Sequence, residues 1–323
     1  MIVDLTLSEE QQLIDASVRK LLADRLPVER LREPANHAAA AEHEAWSALA
    51  ELGLFGLGIP EARGGLGLGA PEEALVARAL GLNLVSPAVV AQMLAPHLAE
   101  DDGLRAAFIA GEARTAFANA IDAENAHLLD HGGAQQLVLL SGGAALIPRS
   151  AAADPSPVEG IDETVSLARV AGAFAAVPRN AEADRASLLL AAYLTGIAQA
   201  TCDMAVAYAG TREQFGQPIG AFQAIKHQCA DMAVCAAAAE AQVFHAAITF
   251  GHGVDDAAEV SAARLLAGDA ALANARANIQ IHGGMGFTAE CDAHLFLKRA
   301  HLIAVLGSSR RAEQTRLLNG TII

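Results

Sequence analysis

Two short stretches concentrate side chains that a turn alone does not require. The first, TREQFGQPIG at residues 211 to 220, holds Arg212, Gln214, Phe215 and Gln217, with Gln223 just beyond it. The second, IQIHGGMGF at residues 279 to 287, holds Gln280, Gly283, Gly284 and Gly286. Such a set suits a pyrophosphate, because a guanidinium and amides donate to it while glycines let backbone N–H groups face the anion. A C-cap and turn also explains the glycines of the second stretch, and taken alone that is how it reads. Other candidates are weaker. GGLGLGA at residues 64 to 70 has the spelling of a dinucleotide loop, but no buried strand precedes it and no acid follows at the required distance. His127 and His131 in HLLDH are spaced to share a metal on a helix, yet no third ligand accompanies them, and a solvated loop or helix end accounts for them.

The elements that must position these residues follow from composition and period. A chain of 323 residues with 53% apolar content can bury more than one core. Its formal charge of −15 argues against nucleic acid or an anionic membrane as partner, since counterion release needs clustered Lys and Arg. Cys202, Cys229, Cys235 and Cys291 fall in apolar helical patterns without a CxxC pair and read as buried free thiols. The acidic, polar start argues against an export signal, and Thr195, Gln199 and Asp203 interrupt the most apolar run, so a buried helix is expected there rather than a membrane span. A cytoplasmic protein is the expectation.

Residues 1–102 read as a helical domain. Ser8 and Gln11 form a capping box, Pro27 ends the first helix, Gly53 ends the second and Pro71 starts another. Residues 103–177 read as a small β domain, with a hairpin split at Gly142-Gly143 and period-two alternation in ETVSLARV. Residues 178–323 return to the helical period, with breaks at Gly216 to Gly220, Gly251 to Gly253 and Gly283 to Gly286. Four long helices stacked up and down are predicted. With helices from Phe222 to His252 and from Asp255 to Gln280 between them, the two unusual turns arrive at the same end of the bundle. Arg212, Gln214, Gln223 and Gln280 then line one polar patch.

REQFGQPIGAFQAIKHQCADM, followed by ANIQIHGGMGFTAE and LKRA, closely resembles the C-terminal domain of acyl-CoA dehydrogenases. WSALAELGLFGLGIPEARGGLGL, residues 46 to 68, resembles a stretch of their N-terminal helical domain. The resemblance covers most of the chain and implies the family fold: mainly α, with a helical domain, a reduced β domain and a four-helix bundle. It implies that Arg212, Gln214, Phe215 and Gln223 reach across a subunit interface to the ADP half of FAD, joined by Gln280, Gly283 and Gly284.

The rest of the family's equipment is missing. The ring-facing Thr-Glu-Pro and Gly-Ser-Asp loop is replaced by RTAFANAIDAENAHLLDHGG, and the only tryptophan is Trp46. The family reaction removes an α-proton with a glutamate while the β-hydrogen leaves as hydride to flavin, so a placed carboxylate is indispensable. One family position for it holds Leu306, followed by Gly307 and Ser308, and the alternative aligns with Ala186. Asp184 lies two residues from Ala186, about 200° around the helix. Half a cofactor site without a base resembles the shortened subunits of hetero-oligomeric acyl-CoA dehydrogenases of steroid side-chain degradation. The resemblance then implies FAD, a full-length partner subunit in a two-plus-two assembly, an acyl-CoA in the complex and an electron-transfer acceptor. Two other readings stay open: a non-enzymatic acyl-CoA- or protein-binding relic, and an active homo-oligomer using Asp184.

Overall fold

The computed structural model of the chain describes residues 5–33, 35–252 and 256–319, and the side chains of all of these but 35–38. Gly253 and Asp255, used above to bound a helix break, lie outside the described residues.

The opening helices form where their local signals place them. α1 (Glu9–Arg25) starts at Ser8, whose side chain and that of Gln11 cap each other's backbone. α2 (Ala35–Glu51) stops before Gly53, which is left-handed at φ 79°. α3 (Ala70–Leu82) has Pro71 in its first turn. α4 (Pro87–Leu98), capped by Ser86, is buried at every residue from Pro87 to Pro96. α5 (Asp102–Ile109) follows, capped by Asp101, so helix continues past residue 102 before the first strand begins.

Six strands then form one mixed sheet among the described residues: β1 (Thr115–Ala120), β2 (Asn125–Leu129), β3 (Gln136–Ser141), β4 (Gly143–Pro148), β5 (Ser156–Pro157) and β6 (Leu167–Ala171), in the order β4-β3-β1-β2-β6-β5. β1 and β3 run parallel, and the other neighbours are antiparallel. The β3–β4 hairpin turns at Gly142, φ 93°, as its glycine pair predicts. The pleat sends Phe117, Leu129, Val138 and Leu140 into the main core, while Ala116, Ala118, Leu128, Leu137 and Leu139 build a second core with Phe174 on the other face. ETVSLARV is strand only from Leu167; Glu163 to Ser166 form a turn.

The C-terminal part begins with α6 (Ala181–Thr211), capped by Asn180, and continues through a hairpin of β7 (Glu213–Gln214) and β8 (Gln217–Pro218) to α7 (Gln223–Thr249) and α8 (Asp256–His282). The fourth member is short. α9 (Ala293–Val305) spans 13 residues, and after the turn at Gly307 the chain adds α10 (Arg310–Asn319), so the expected fourth long helix is two short ones. The break falls at Gly307, whose φ of 79° takes the chain out of helix.

α6 and α7 are long and apolar enough to cross a bilayer, but 72% and 44% of their most apolar windows are buried in the protein. α3 and α6 touch closely through two glycines. A Cβ at Gly81 would lie 1.9 Å from Tyr193 O, and one at Gly196 2.1 Å from Arg78 O. Of the cysteines only Cys202 is buried; Cys229, Cys235 and Cys291 are partly exposed, and Cys291 lies in a turn rather than a helix because the η segment after α8 has already ended there.

Candidate functional site

The two unusual turns meet at one end of the bundle. Tyr208, in the last turn of α6, stacks on His282, the last residue of α8, with ring centroids 4.1 Å apart. Beneath them Cys202, Ala205, Ala209, Met232 and Ile281 form a small apolar cluster that ties α6, α7 and α8 together. The Arg212 N–H closes α6 onto Tyr208 O at 2.8 Å, and Arg212 O accepts from Ile219 N–H at 2.8 Å, so the hairpin is anchored at its base. Its tip is Phe215-Gly216, with φ of 55° and 80°, the left-handed pair of a two-residue hairpin. Phe215 is 92% exposed there, its ring edge-on to Phe222 at 6.0 Å.

Arg212, Gln214, Gln223, Gln280, Gly283 and Gly284 are all exposed at this end. The structure gathers them on one surface rather than in a cavity. Arg212 has no carboxylate partner among the described residues, and nothing lies within 4 Å of a Cβ built on Gly283 or Gly284. That backbone is open to a ligand arriving from outside. Gly286 differs, since a Cβ there would stand 2.7 Å from Ile279 O, which makes it a packing glycine. A shallow cleft of about 340 Å³ beside the hairpin is lined by Val206, Pro218, Gly220, Lys226 and Cys229. Lys226 adds a cation that the spacing of the turn residues does not reveal.

Leu306 and Ala186, far apart in sequence, line one and the same cavity with Leu140, Gly143, Arg179 and Leu190, and only about 10 Å³ of it is free. Both residues are almost fully buried, at 3% and 2% exposure. No carboxylate lines that cavity. Asp184 is not in its lining but pairs with Arg179, which is, and burial pushes its carboxyl above the usual range despite that guanidinium. The turn carrying Leu306 is held from both sides: Arg264 Nη2 donates to Leu306 O at 2.9 Å, and Gly307 N donates to Asn119 Oδ1 of β1 at 2.8 Å. Arg316 Nη2 donates to Ser308 Oγ at 2.7 Å and also pairs with the buried Glu313. Neither Asn119 nor Arg264 stands out in the sequence, because Gly307 and Leu306, their partners here, are remote along the chain.

A planar ring placed between β1 and this turn would need a gap of about 7 Å, two carbon contact distances of about 3.5 Å. The Asn119–Gly307 hydrogen bond spans the place at 2.8 Å. The adjoining space, about 430 Å³ lined by Asn119, Asp122, Leu140, Phe174, Val305 and Ser309, opens to solvent. Between Asn119 and Gly307 themselves there is thus no gap of ring width. The exposed surface at Arg212 and Gly283 offers a guanidinium and open glycine backbone, donors of the kind a phosphate group takes.

The remaining candidates have structural roles. Trp46 donates from Nε1 to Gly111 O at 3.0 Å and packs on Phe55. In GGLGLGA, Gly65 packs so closely that a Cβ would be 2.1 Å from Ile59 O, and a loop rather than a strand precedes α3. His127 lies on β2, not on a loop or helix end, because the segment pairs with β1 and β6, while His131 follows the left-handed Asp130 in the loop after that strand. Among the described residues no group of three ligands could hold a metal.

Residues 8–100 match the acyl-CoA dehydrogenase N-terminal domain, and residues 179–309 the acyl-CoA dehydrogenase C-terminal domain. The acyl-CoA dehydrogenase IpdE2 of Mycobacterium tuberculosis is 35% identical over 322 residues, covering 97% of this chain and 98% of IpdE2. The acyl-CoA dehydrogenase FadE34 of the same organism is 36% identical over 296 residues, 84% of this chain, which spans only 41% of FadE34's length. Two solved structures share the fold. The Tcur3481-Tcur3483 steroid ACAD variant gives a TM-score of 0.81 at 21% identity, covering 97% of this chain and 98% of that one. The ChsE4-ChsE5 complex from Mycobacterium tuberculosis gives 0.79 at 20% identity, covering 99% and 100%. FAD is the cofactor of the family. With its helical start, small sheet and helical end, and a relative matched along nearly its whole length, the chain belongs to the acyl-CoA dehydrogenase family.

Proposed function

We propose that this chain is the shortened subunit of a hetero-oligomeric, FAD-dependent acyl-CoA dehydrogenase. It completes the ADP half of a flavin site whose ring pocket and catalytic carboxylate belong to a full-length partner. The observation that carries this is the closed cavity at Leu306 and Ala186: the two positions where the family places its base converge, and both are apolar, in a space of about 10 Å³. An α-proton has no acceptor there.

Arg212, Gln214, Phe215, Gln223, Gln280, Gly283 and Gly284, by contrast, face outward on a prepared surface. A relic without a cofactor role has no use for an uncompensated arginine beside open glycine backbone. The reading of Asp184 as base is not favoured, because Asp184 does not line the cavity and its carboxylate is engaged by Arg179 of the cavity wall. The Tcur3481-Tcur3483 steroid ACAD and the ChsE4-ChsE5 complex share this fold and each combine two different chains, which supports an assembly of two kinds of chain acting on a bulky steroid-type thioester, taken here as two plus two. FadE34, in which this chain spans 41% of the length, leaves room for a second unit of similar size in one polypeptide. Divisions near residues 102 and 177 are proposed as the domain boundaries, an electron-transfer acceptor as the redox partner and the cytoplasm as the compartment.

The test is co-production of the tagged chain with full-length acyl-CoA dehydrogenases from the same source. The expected result is a stoichiometric yellow complex that dehydrogenates an acyl-CoA, with a colourless, inactive chain when it is produced alone. A yellow, active homo-oligomer overturns the reading.

A further inference from the structure

A cavity of about 220 Å³ lies where α2 and the start of α4 meet the sheet, with Glu42, Trp46, Ser86, Arg114, Asp130 and Ser166 in its wall. It is at the opposite end of β1 from Asn119, roughly 15 Å away at about 3.3 Å per residue. The acids in the wall already have donors. Glu42 accepts from Arg30 Nη2 and from Ser86 N, both at 3.0 Å. Asp130 accepts from Ser86 Oγ at 2.5 Å and from Ser166 N at 2.7 Å, and Glu163, also in the wall, accepts from Lys298.

Arg114 is the cation left over. Its guanidinium lies over Trp46, 4.6 Å from the ring centroid, and none of its side-chain N–H groups reaches an acceptor among the described residues. Burial lowers its pKa with no opposing charge to raise it, so this cation has lost water without gaining a counter-ion. The fork of an arginine matches a planar carboxylate in two parallel bonds. Glu42, Asp130 and Glu163 line the same cavity, so they oppose a more highly charged tetrahedral anion more than a singly charged carboxylate. Trp46, Ala39 and Ala88 supply apolar surface beside the cation. The volume equals roughly seven waters at about 30 Å³ each, which sets the ligand's size.

We propose that this cavity binds a small aliphatic carboxylate, with its carboxyl group on Arg114 and its chain against Trp46. Trp46 is the only tryptophan in the sequence, so its emission reports on the cavity directly. The full chain is titrated with hexanoate, followed by Trp46 emission and by calorimetry. The expected result is one saturable site per chain, weakened about tenfold or more by Arg114→Gln and to a lesser degree by Arg114→Lys, which keeps the charge but not the fork. Arg63→Gln, at an exposed position elsewhere, leaves it unchanged. Inorganic phosphate at matched ionic strength binds more weakly than hexanoate. Absence of saturable binding to the wild type, equal affinity in folded Arg114→Gln and Arg114→Lys proteins, or phosphate binding as tightly as hexanoate overturns the proposal.

Discussion

Arg299 Nε donates to Asp162 Oδ2 at 2.5 Å, with both side chains 1% exposed, and this pair joins α9 to the loop before β6. The same guanidinium donates from Nη1 to Leu84 O at 2.9 Å, Val85 O at 3.0 Å and Tyr193 Oη at 2.7 Å, and from Nη2 to Thr164 Oγ1 at 2.9 Å. One side chain thereby holds the link between α3 and α4, the sheet region and two bundle helices. Burial disfavours its charge, yet Asp162 raises its pKa well above the ordinary value. Leu84, held by this arginine and by Arg30 Nη2, keeps a left-handed φ of 48° that an isolated leucine would avoid. Removing one partner leaves a buried charge without compensation, so Arg299→Ala is expected to cost about 3–5 kcal/mol in urea unfolding. The double change Arg299→Met with Asp162→Leu should recover a large part of that loss.

Tyr193 gives the network a signature at high pH. Its hydroxyl donates to Val85 O at 2.6 Å, and burial pushes its pKa from 10.0 up to about 12. A folded-state pKa above the unfolded one means that the stabilising contribution is complete below pH 10 and is lost as pH rises through about 12. Stability measured by urea unfolding should therefore fall across that window in the wild type. Tyr193→Phe should start lower and decline less steeply over the same range.

The glycines predict opposite signs. A methyl group at Gly81 or Gly196 would meet backbone at 1.9 Å and 2.1 Å, so Gly81→Ala and Gly196→Ala must push α3 from α6 and should each lower the melting temperature by several degrees, at roughly 4 °C or less per kcal/mol in a chain this long. Gly268, inside α8, has nothing within 4 Å of such a methyl. Gly268→Ala should raise stability by about 0.5–1 kcal/mol through helix propensity alone.

Those local signals are the part of the fold that sequence reveals. The Ser8–Gln11 box, Pro71, Gly53 and the Gly142 turn each act within a few residues, and each is found where its spelling places it. β1 gives no such signal. Thr115 to Ala118 are buried on both faces, and alanines on one side of the pleat blur the alternation that would mark a strand. The determinants of the turn at Leu306 are equally silent, because Asn119 and Gly307 are 188 residues apart and Arg264 and Leu306 42 apart. Arg212 and Gln280 stand out in the sequence for a different reason: their stretches carry polar side chains that a turn does not need, and the structure exposes both.

For the nucleotide surface, Arg212→Ala and Gln280→Ala in the assembled complex should each reduce flavin retained after gel filtration while leaving assembly intact. A hydrogen bond from a charged donor to pyrophosphate contributes about 1.5–3 kcal/mol, and the neutral Gln280 correspondingly less. Both side chains are exposed in the single chain, so neither change should alter its folding midpoint by more than about 0.5 kcal/mol.

The most direct measurement is flavin per protein in the purified complex of this chain with its full-length partner. Each flavin site that takes its ring pocket and base from the long chain and its ADP grip from this one is complete. In the proposed assembly the reciprocal site would be crossed by the Asn119–Gly307 bond, with the buried Leu306 at the position assigned to the carboxylate. The account predicts about one FAD per short–long pair, and no new activity on adding Leu306→Glu alone, since a base without a seated ring has nothing to act with. Two FAD per pair would contradict it.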